Sequence, residues 1–216
     1  MDRRERRPVP AVAGPTEGTV AGASPGLRLL VVGESTAAGT GAPTHETSFV
    51  GHLARELAAD GREVTWRAVG RDGARARAVT RDLVPAAAGW DPSHVVVLIG
   101  INDLQLAWRP GAWATDVTAL LREITATWPR SRVVISGLPD VTAIPAIPEP
   151  LRRVLARKAR RFGWATERAA AGTGAVYVQV DHLPLTREDF SGDGVHPGPA
   201  GYARWARALA PAVRGC

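Results

Sequence analysis

Residues 27–39 read Leu27-Arg28-Leu29-Leu30-Val31-Val32-Gly33-Glu34-Ser35-Thr36-Ala37-Ala38-Gly39. The first part is a short, nearly continuous apolar run, the pattern of a strand covered on both faces. It stops at glycine and delivers a serine between small residues. Similar Val- and Ile-rich runs recur at residues 63–69, 94–99, 132–135 and 175–180. Between them the apolar spacing turns helical. Phe49, Leu53, Leu57 and Ala58 share one helix face. Trp113, Val117, Leu120, Leu121, Ile124 and Trp128 share a second, and Leu151, Val154, Leu155 and Phe162 a third. A last helix is expected over residues 200–213. Phe162, Trp164 and Trp205 fall at helical spacing and read as core. Such alternation implies an α/β protein, a parallel sheet with helices on both faces.

The chain has 216 residues, 45% hydrophobic and 22% charged. That suits one globular domain and excludes general disorder. No apolar run approaches the roughly 18–20 residues of a membrane helix, so no span is expected. The single cysteine, Cys216, excludes an internal disulfide framework and a Cys-based zinc site. Residues 1–25 are rich in Arg, Pro, Gly and Ala without apolar periodicity. They read as a flexible leader before a domain of residues 26–216. Pro8, Pro10, Gly14 and Pro15 stand where a secretory signal would be apolar, so a cytoplasmic protein is expected. The 27 basic residues outnumber the 21 acidic ones. The densest basic run (Arg152, Arg153, Arg157, Lys158, Arg160 and Arg161) lies on an expected helix and reads as a solvated face, with attraction of an anionic partner as the alternative. No nucleic-acid signature accompanies it, so no nucleic-acid partner is expected.

In a parallel sheet, chemistry gathers at the carboxyl ends of the strands. After the first run stands Ser35, without the lysine of a phosphate-binding loop. After the second comes Gly70-Arg71-Asp72-Gly73-Ala74, and after the third Gly100-Ile101-Asn102-Asp103. Beyond the fifth lies Ser191-Gly192-Asp193-Gly194-Val195-His196-Pro197. Singly, each has a plain alternative: a helix cap, a turn, a turn-forming asparagine. The Asp-x-x-His spacing also occurs twice, at Asp91–His94 and Asp193–His196. His94 opens a strand, however, and so lies at the edge opposite Ser35. Jointly, a serine, a glycine loop, an asparagine and an Asp-His pair share one rim. Three-residue spacing can set the Asp193 carboxylate against the His196 imidazole, the logic of a nucleophile-His-Asp triad.

With these four blocks in order, the chain from about residue 27 to 213 resembles the SGNH, or GDSL-type, hydrolase superfamily. Pro197-Gly198-Pro199-Ala200-Gly201-Tyr202 continues the likeness. The resemblance implies a three-layer α/β/α fold with a five-stranded parallel sheet in flavodoxin-like order. It implies Ser35 as nucleophile, His196 as general base and Asp193 as the residue orienting it. The N–H groups of Ser35 and Gly73 and the Asn102 side chain would form the oxyanion hole. Two positions depart from the family: Glu34 replaces the aspartate of Gly-Asp-Ser-Leu, and Arg67 and Ala68 stand where an asparagine often precedes the glycine block. The register therefore lies between Gly70 and Gly73, with Gly73 favoured by the following Ala74.

The expected activity is hydrolysis of an ester or thioester through an acyl-enzyme, without metal or cofactor. Ile101, Leu104, Leu106 and Trp108 leave the rim after the asparagine block, and Ile144, Pro145, Ile147 and Pro148 after the fourth strand. Ile101, Leu104, Trp108, Ile144 and Val195 are the expected substrate-binding residues, walling a short-chain or lipid-like acyl group. An acyltransferase or carbohydrate deacetylase would use the same triad, and a non-catalytic module of the same fold is a further alternative. His45, His52 and His182 read as surface or supporting residues. Oligomeric state is not legible.

Overall fold

The computed structural model describes residue 9, residues 11–106 and residues 110–215. In chain order it begins β1 (Glu17–Val20), β2 (Ser24–Gly33), α1 (Phe49–Ala58) and β3 (Arg62–Gly70). Next, α2 (Ala76–Ala78) passes through a π-helical segment (Val79–Leu83) into α3 (Val84–Ala87). There follow β4 (His94–Leu98), α4 (Ile101–Leu106), α5 (Pro110–Thr127), β5 (Arg132–Ser136), α6 (Leu151–Ala171), β6 (Val176–Val178) and α7 (Pro199–Arg214).

The strands form one sheet in the order β1-β3-β2-β4-β5-β6. Five are parallel and in flavodoxin-like order, as the resemblance implied. Val32 at the centre pairs with Val69 of β3 and Val97 of β4. The sixth strand, β1, runs antiparallel along β3, pairing Val20 with Val64. It falls within the stretch expected to be a leader, so the sheet begins before residue 26. Its four residues alternate between exposed and half-buried, so this edge strand carries no apolar run to announce it. Gly18 lies flat on Trp66, and Arg67 pairs with Glu17 at 2.6 Å.

The two-residue period of a strand divides the central run between two cores. Leu30 and Val32 face the layer of α2, α3, α5 and α6, where Trp113 stacks on Phe162 at 4.9 Å. Leu29 and Val31 face α1 and α7, against Phe49, Leu53, Tyr202 and Trp205. Both faces are covered, so the strand is apolar throughout. Two readings of α6 need correction. Leu151 and Val154, expected on its buried face, are 46% and 58% exposed, and Trp164, expected in the core, is 66% exposed. The buried line of α6 is Leu155, Phe162, Thr166, Ala169 and Ala170 instead. Among the described residues no helix is long and apolar enough to cross a membrane.

Candidate active site

The site grows from the end of β2. Gly33 turns there with φ of +156°, and a side chain on it would collide with the Leu98 carbonyl of β4. The close approach lets the Glu34 N–H donate to Leu98 O at 2.9 Å. β2 is flanked by β3 on one side and β4 on the other, so this is the point where strand order reverses and a crevice opens. Residues 34–42 form consecutive turns rather than a helix, and α1 begins only at Phe49. The Ser35 hydroxyl therefore caps no helix. It lies 3.0 Å from His196 Nε2.

His196 comes from the loop before α7. Its Nδ1 lies 2.6 Å from Asp193 Oδ2. Asp193 Oδ1 accepts from the Ser191 hydroxyl at 2.7 Å, Val195 N–H at 2.8 Å and His196 N–H at 3.0 Å. Burial pushes this carboxyl up, but the hydrogen bonds from Val195, Ser191 and His196 outweigh it and hold the group below its ordinary value. The acid is thus ionised near neutrality. An acceptor-only carboxylate fixes the proton on Nδ1 and leaves Nε2 to accept from Ser35. The loop is anchored from outside as well, by the Ala146 N–H on Gly194 O at 3.0 Å.

The rim carries further donors. Gly73, with φ of +70°, lines the cavity beside Ser35. Gly70 serves close packing instead. A side chain there would strike the backbone of Ala37 and Ala38, so β3 can end against the Ser35 loop only through glycine. Among the described residues neither the Ser35 N–H nor the Gly73 N–H has an acceptor. Asn102 also lines the cavity. Its amide donates to Glu34 Oε2 at 2.8 Å and to the Ala74 carbonyl at 3.1 Å.

Glu34 is the residue whose place the sequence left unexplained. One methylene longer than the family's aspartate, it reaches under the asparagine block. It accepts from Ile101 N–H at 3.1 Å, Asn102 N–H at 3.3 Å and Asn102 Nδ2. Burial pushes its carboxyl up to about 8, the Ile101 and Asn102 N–H groups acting against this and nearby Asp103 with it. At neutral pH it is therefore mostly protonated. Asp103 itself turns away to the Ala76 N–H at 3.2 Å, capping the start of α2.

Ser35, Asp193 and His196 line a cavity of about 510 Å³. Of the expected substrate-binding residues, Ile101, Ile144 and Val195 line it. Leu104 does not: it is fully buried in the core beneath α4. At 3.6 residues per turn, Ile101, Asn102 and Gln105 share the cavity side of that short helix and Leu104 falls outside it. Trp108 and the side chain of Leu106 lie outside the described residues. The sequence missed Leu138, Leu183, Leu185 and Phe190 on the cavity wall, as well as Thr36, whose buried hydroxyl has no partner among the described residues. Most of these belong to irregular segments, where no periodicity marks a facing side. Trp205, read as core, is buried and also lines the cavity. His94 opens β4 at the far edge, as its strand position required. His45 is buried rather than on the surface, and burial pulls its imidazole below the ordinary range. Among the described residues no group of three or more His, Cys, Asp or Glu could hold a metal ion.

Ser35 and, from one other loop, Asp193 and His196 meet where strand order reverses, in a fold of the SGNH class. The model of the GDSL-like Lipase/Acylhydrolase family matches residues 31–204, and the chain belongs to that family. It is 29% identical over 197 residues to the GDSL-like esterase Rv1075c of Mycobacterium tuberculosis (strain ATCC 25618 / H37Rv). That match takes in 87% of this chain and 62% of the relative, so the chain spans less than two thirds of that protein. In fold it is similar to Est24, a carbohydrate acetylesterase from Sinorhizobium meliloti, at 16% identity and a TM-score of 0.69, over 88% of this chain and 99% of that one. It is likewise similar to the lipase/acylhydrolase from Enterococcus faecalis, at 18% identity and a TM-score of 0.69, over 88% and 96%.

Proposed function

We propose that this chain hydrolyses carboxylic esters or thioesters through an acyl-enzyme on Ser35. The observation that carries the reading is the unbroken relay from Ser35 Oγ through His196 to Asp193, at 3.0 and 2.6 Å, opening on an apolar cavity. Ser35 Oγ attacks the acyl carbonyl while its proton passes to His196 Nε2. Asp193 stabilises the imidazolium that forms. Collapse of the tetrahedral intermediate breaks the bond to the alcohol or thiol, which takes the proton from Nε2. Water then attacks the acyl-serine, giving its proton to the same nitrogen, and the acid departs as Ser35 regains its hydrogen.

The oxyanion is received by the N–H groups of Ser35 and Gly73 and by Asn102 Nδ2. The first two have no other acceptor among the described residues. Asn102 must release one of its two acceptors, Glu34 or Ala74 O. Protonation weakens the hold of Glu34 on this amide, since an ionised acceptor binds about twice as strongly as a neutral one. Ile101, Leu138, Ile144 and Val195 on the wall favour an alkyl acyl chain over a sugar.

The test is a p-nitrophenyl ester series with Ser35→Ala and His196→Ala in parallel, followed by mass spectrometry of rapidly quenched enzyme. Both variants should lose turnover, and the acyl mass should sit on the peptide holding Ser35. Wild-type rates in either variant would end the acyl-enzyme reading. Transfer of the acyl group to an added alcohol in preference to water would identify an acyltransferase.

A further inference from the structure

The chain carries six more basic than acidic residues. Helix α6 alone holds seven basic residues and one acidic residue, Glu167. The whole surplus of the protein therefore resides on one helix, and the remaining residues balance. The large hydrophobic side chains exposed among the described residues are Leu151, Val154 and Trp164, all on α6 as well. Charge surplus and exposed apolar surface thus coincide on a single element.

Their order along the helix is specific. Val154, Arg157, Arg161, Trp164 and Arg168 follow at steps of three and four, which stacks them in one line on the helix surface. By the ordinary helical rise that line is about 21 Å long. All five are exposed. The guanidinium groups of Arg157, Arg161 and Arg168 have no ion pair or hydrogen bond among the described residues. Lys158 and Arg152 are used otherwise, holding the carbonyls of Leu104 and of Pro145 and Ile147. The Arg152 bonds fasten the first turn of α6 to the segment around Ile144, which lines the cavity beside Ser35, and the Lys158 bond ties the helix to α4. The acids of this flank, Glu167, Asp140 and Asp181, line a groove beside the helix that Arg160 and the Trp164 end of the line also border.

We propose that this stripe of α6 is a docking surface for an anionic lipid bilayer, seating the protein with the rim of its catalytic cavity beside the membrane. Arginine attracts lipid phosphates and carboxylates, and its stem lies along apolar surface while the guanidinium stays in the headgroup layer. Tryptophan prefers that same layer, with its apolar body inward and its N–H in the polar zone. A valine and a leucine at the end nearest the cavity gain only where an apolar phase is available. A polyanion such as DNA would use the arginines and leave Leu151 and Val154 unrewarded. The helix lies on the interface rather than crossing it, as an amphipathic face with this composition does.

The inference is independent of the ester reading, and its test keeps them apart. The full chain is sedimented with vesicles of phosphatidylcholine alone and with vesicles of an equal phosphatidylcholine–phosphatidylserine mixture. Binding to the anionic vesicles and its loss at high salt are expected. Each basic residue at an anionic surface strengthens partitioning about fivefold. Arg157→Gln, Arg161→Gln and Arg168→Gln combined should therefore weaken it about a hundredfold. Trp164→Ala should weaken it without altering the salt dependence. Arg3, Arg4, Arg6 and Arg7 attract the same vesicles but are common to every variant, so the difference reads the stripe alone. The stripe variants should hydrolyse soluble p-nitrophenyl acetate like wild type, and Ser35→Ala should bind vesicles like wild type. Equal binding to both vesicles, or triple-variant binding unchanged, overturns the proposal. So does stripe-dependent binding of a DNA duplex without vesicle binding.

Discussion

Glu34 shows how much one methylene can rearrange. Its Oε2 holds the Asn102 side chain and the Asn102 backbone N–H together. Burial lifts its folded pKa from 4.5 to about 8, so between those values the folded chain holds a proton that the unfolded chain has released. Stability from this group is whole below the lower value and lost as pH rises through the upper one. Glu34→Gln, which cannot ionise, should flatten that alkaline loss, and thermal unfolding of both proteins across the window checks it. An unchanged slope would place the pH dependence elsewhere. Asn102→Ala should lower kcat roughly 100- to 1,000-fold, the usual consequence of removing one oxyanion donor. A kcat equal to wild type would remove Asn102 from that role. The serine, histidine, aspartate and asparagine were legible because each follows a strand or opens a helix at a marked position. Glu34's grip on Asn102 was not, because it spans residues far apart in sequence.

Among the elements, α1 and α7 close the face of the sheet that carries Leu29 and Val31. Phe49 and Trp205 meet there edge to face, with ring centroids 5.5 Å apart and planes at 70°. Trp205 Nε1 also donates to Ser136 Oγ at 2.8 Å, fastening α7 to β5. Trp205→Ala should cost about 3–5 kcal/mol of stability, the range for a buried aromatic truncated to alanine. In a double-mutant cycle with Phe49→Ala the coupling should be about 0.5–1.5 kcal/mol. Denaturant unfolding of the four proteins measures it, and strict additivity would show that the rings do not support each other. The central strands and four main helices were legible because their apolar periods are long and regular. β1 was not, because an edge strand of alternating exposure looks like any polar segment. The buried face of α6 escapes the sequence for a related reason. Leu151, Val154 and Leu155 stand at helical spacing, but which of them is buried depends on where β5 and β6 lie beneath the helix.

At the scale of the molecule, the cavity is a joint product of loops that end different strands. Ile101 follows β4, Leu138 and Ile144 follow β5, Leu183 and Leu185 follow β6, and Val195 stands before α7. On the proposed reading an acyl chain is measured by the arrangement of several strand ends, and a change in one wall should alter its length limit alone. Ile144→Trp, filling part of the cavity, should shift the preference toward short acyl groups while leaving acetate turnover within about twofold of wild type, since a change that removes only chain binding spares the chemical step. Rates on p-nitrophenyl esters of rising chain length check this. An unchanged optimum would move the acyl chain to another part of the cavity.

By itself the sequence determined the alternation of strands and helices and the rim that brings Ser35, Gly73, Asn102 and the Asp193–His196 pair together. These are local matters: periodicity, glycine at a turn, a short Asp-His spacing. Only the tertiary structure decided that β1 extends the sheet, that Gly73 rather than Gly70 faces the cavity, that Leu104 turns into the core and that Trp164 stands in solvent. Each of these depends on what lies opposite a side chain, and that is set by the packing of segments distant in sequence.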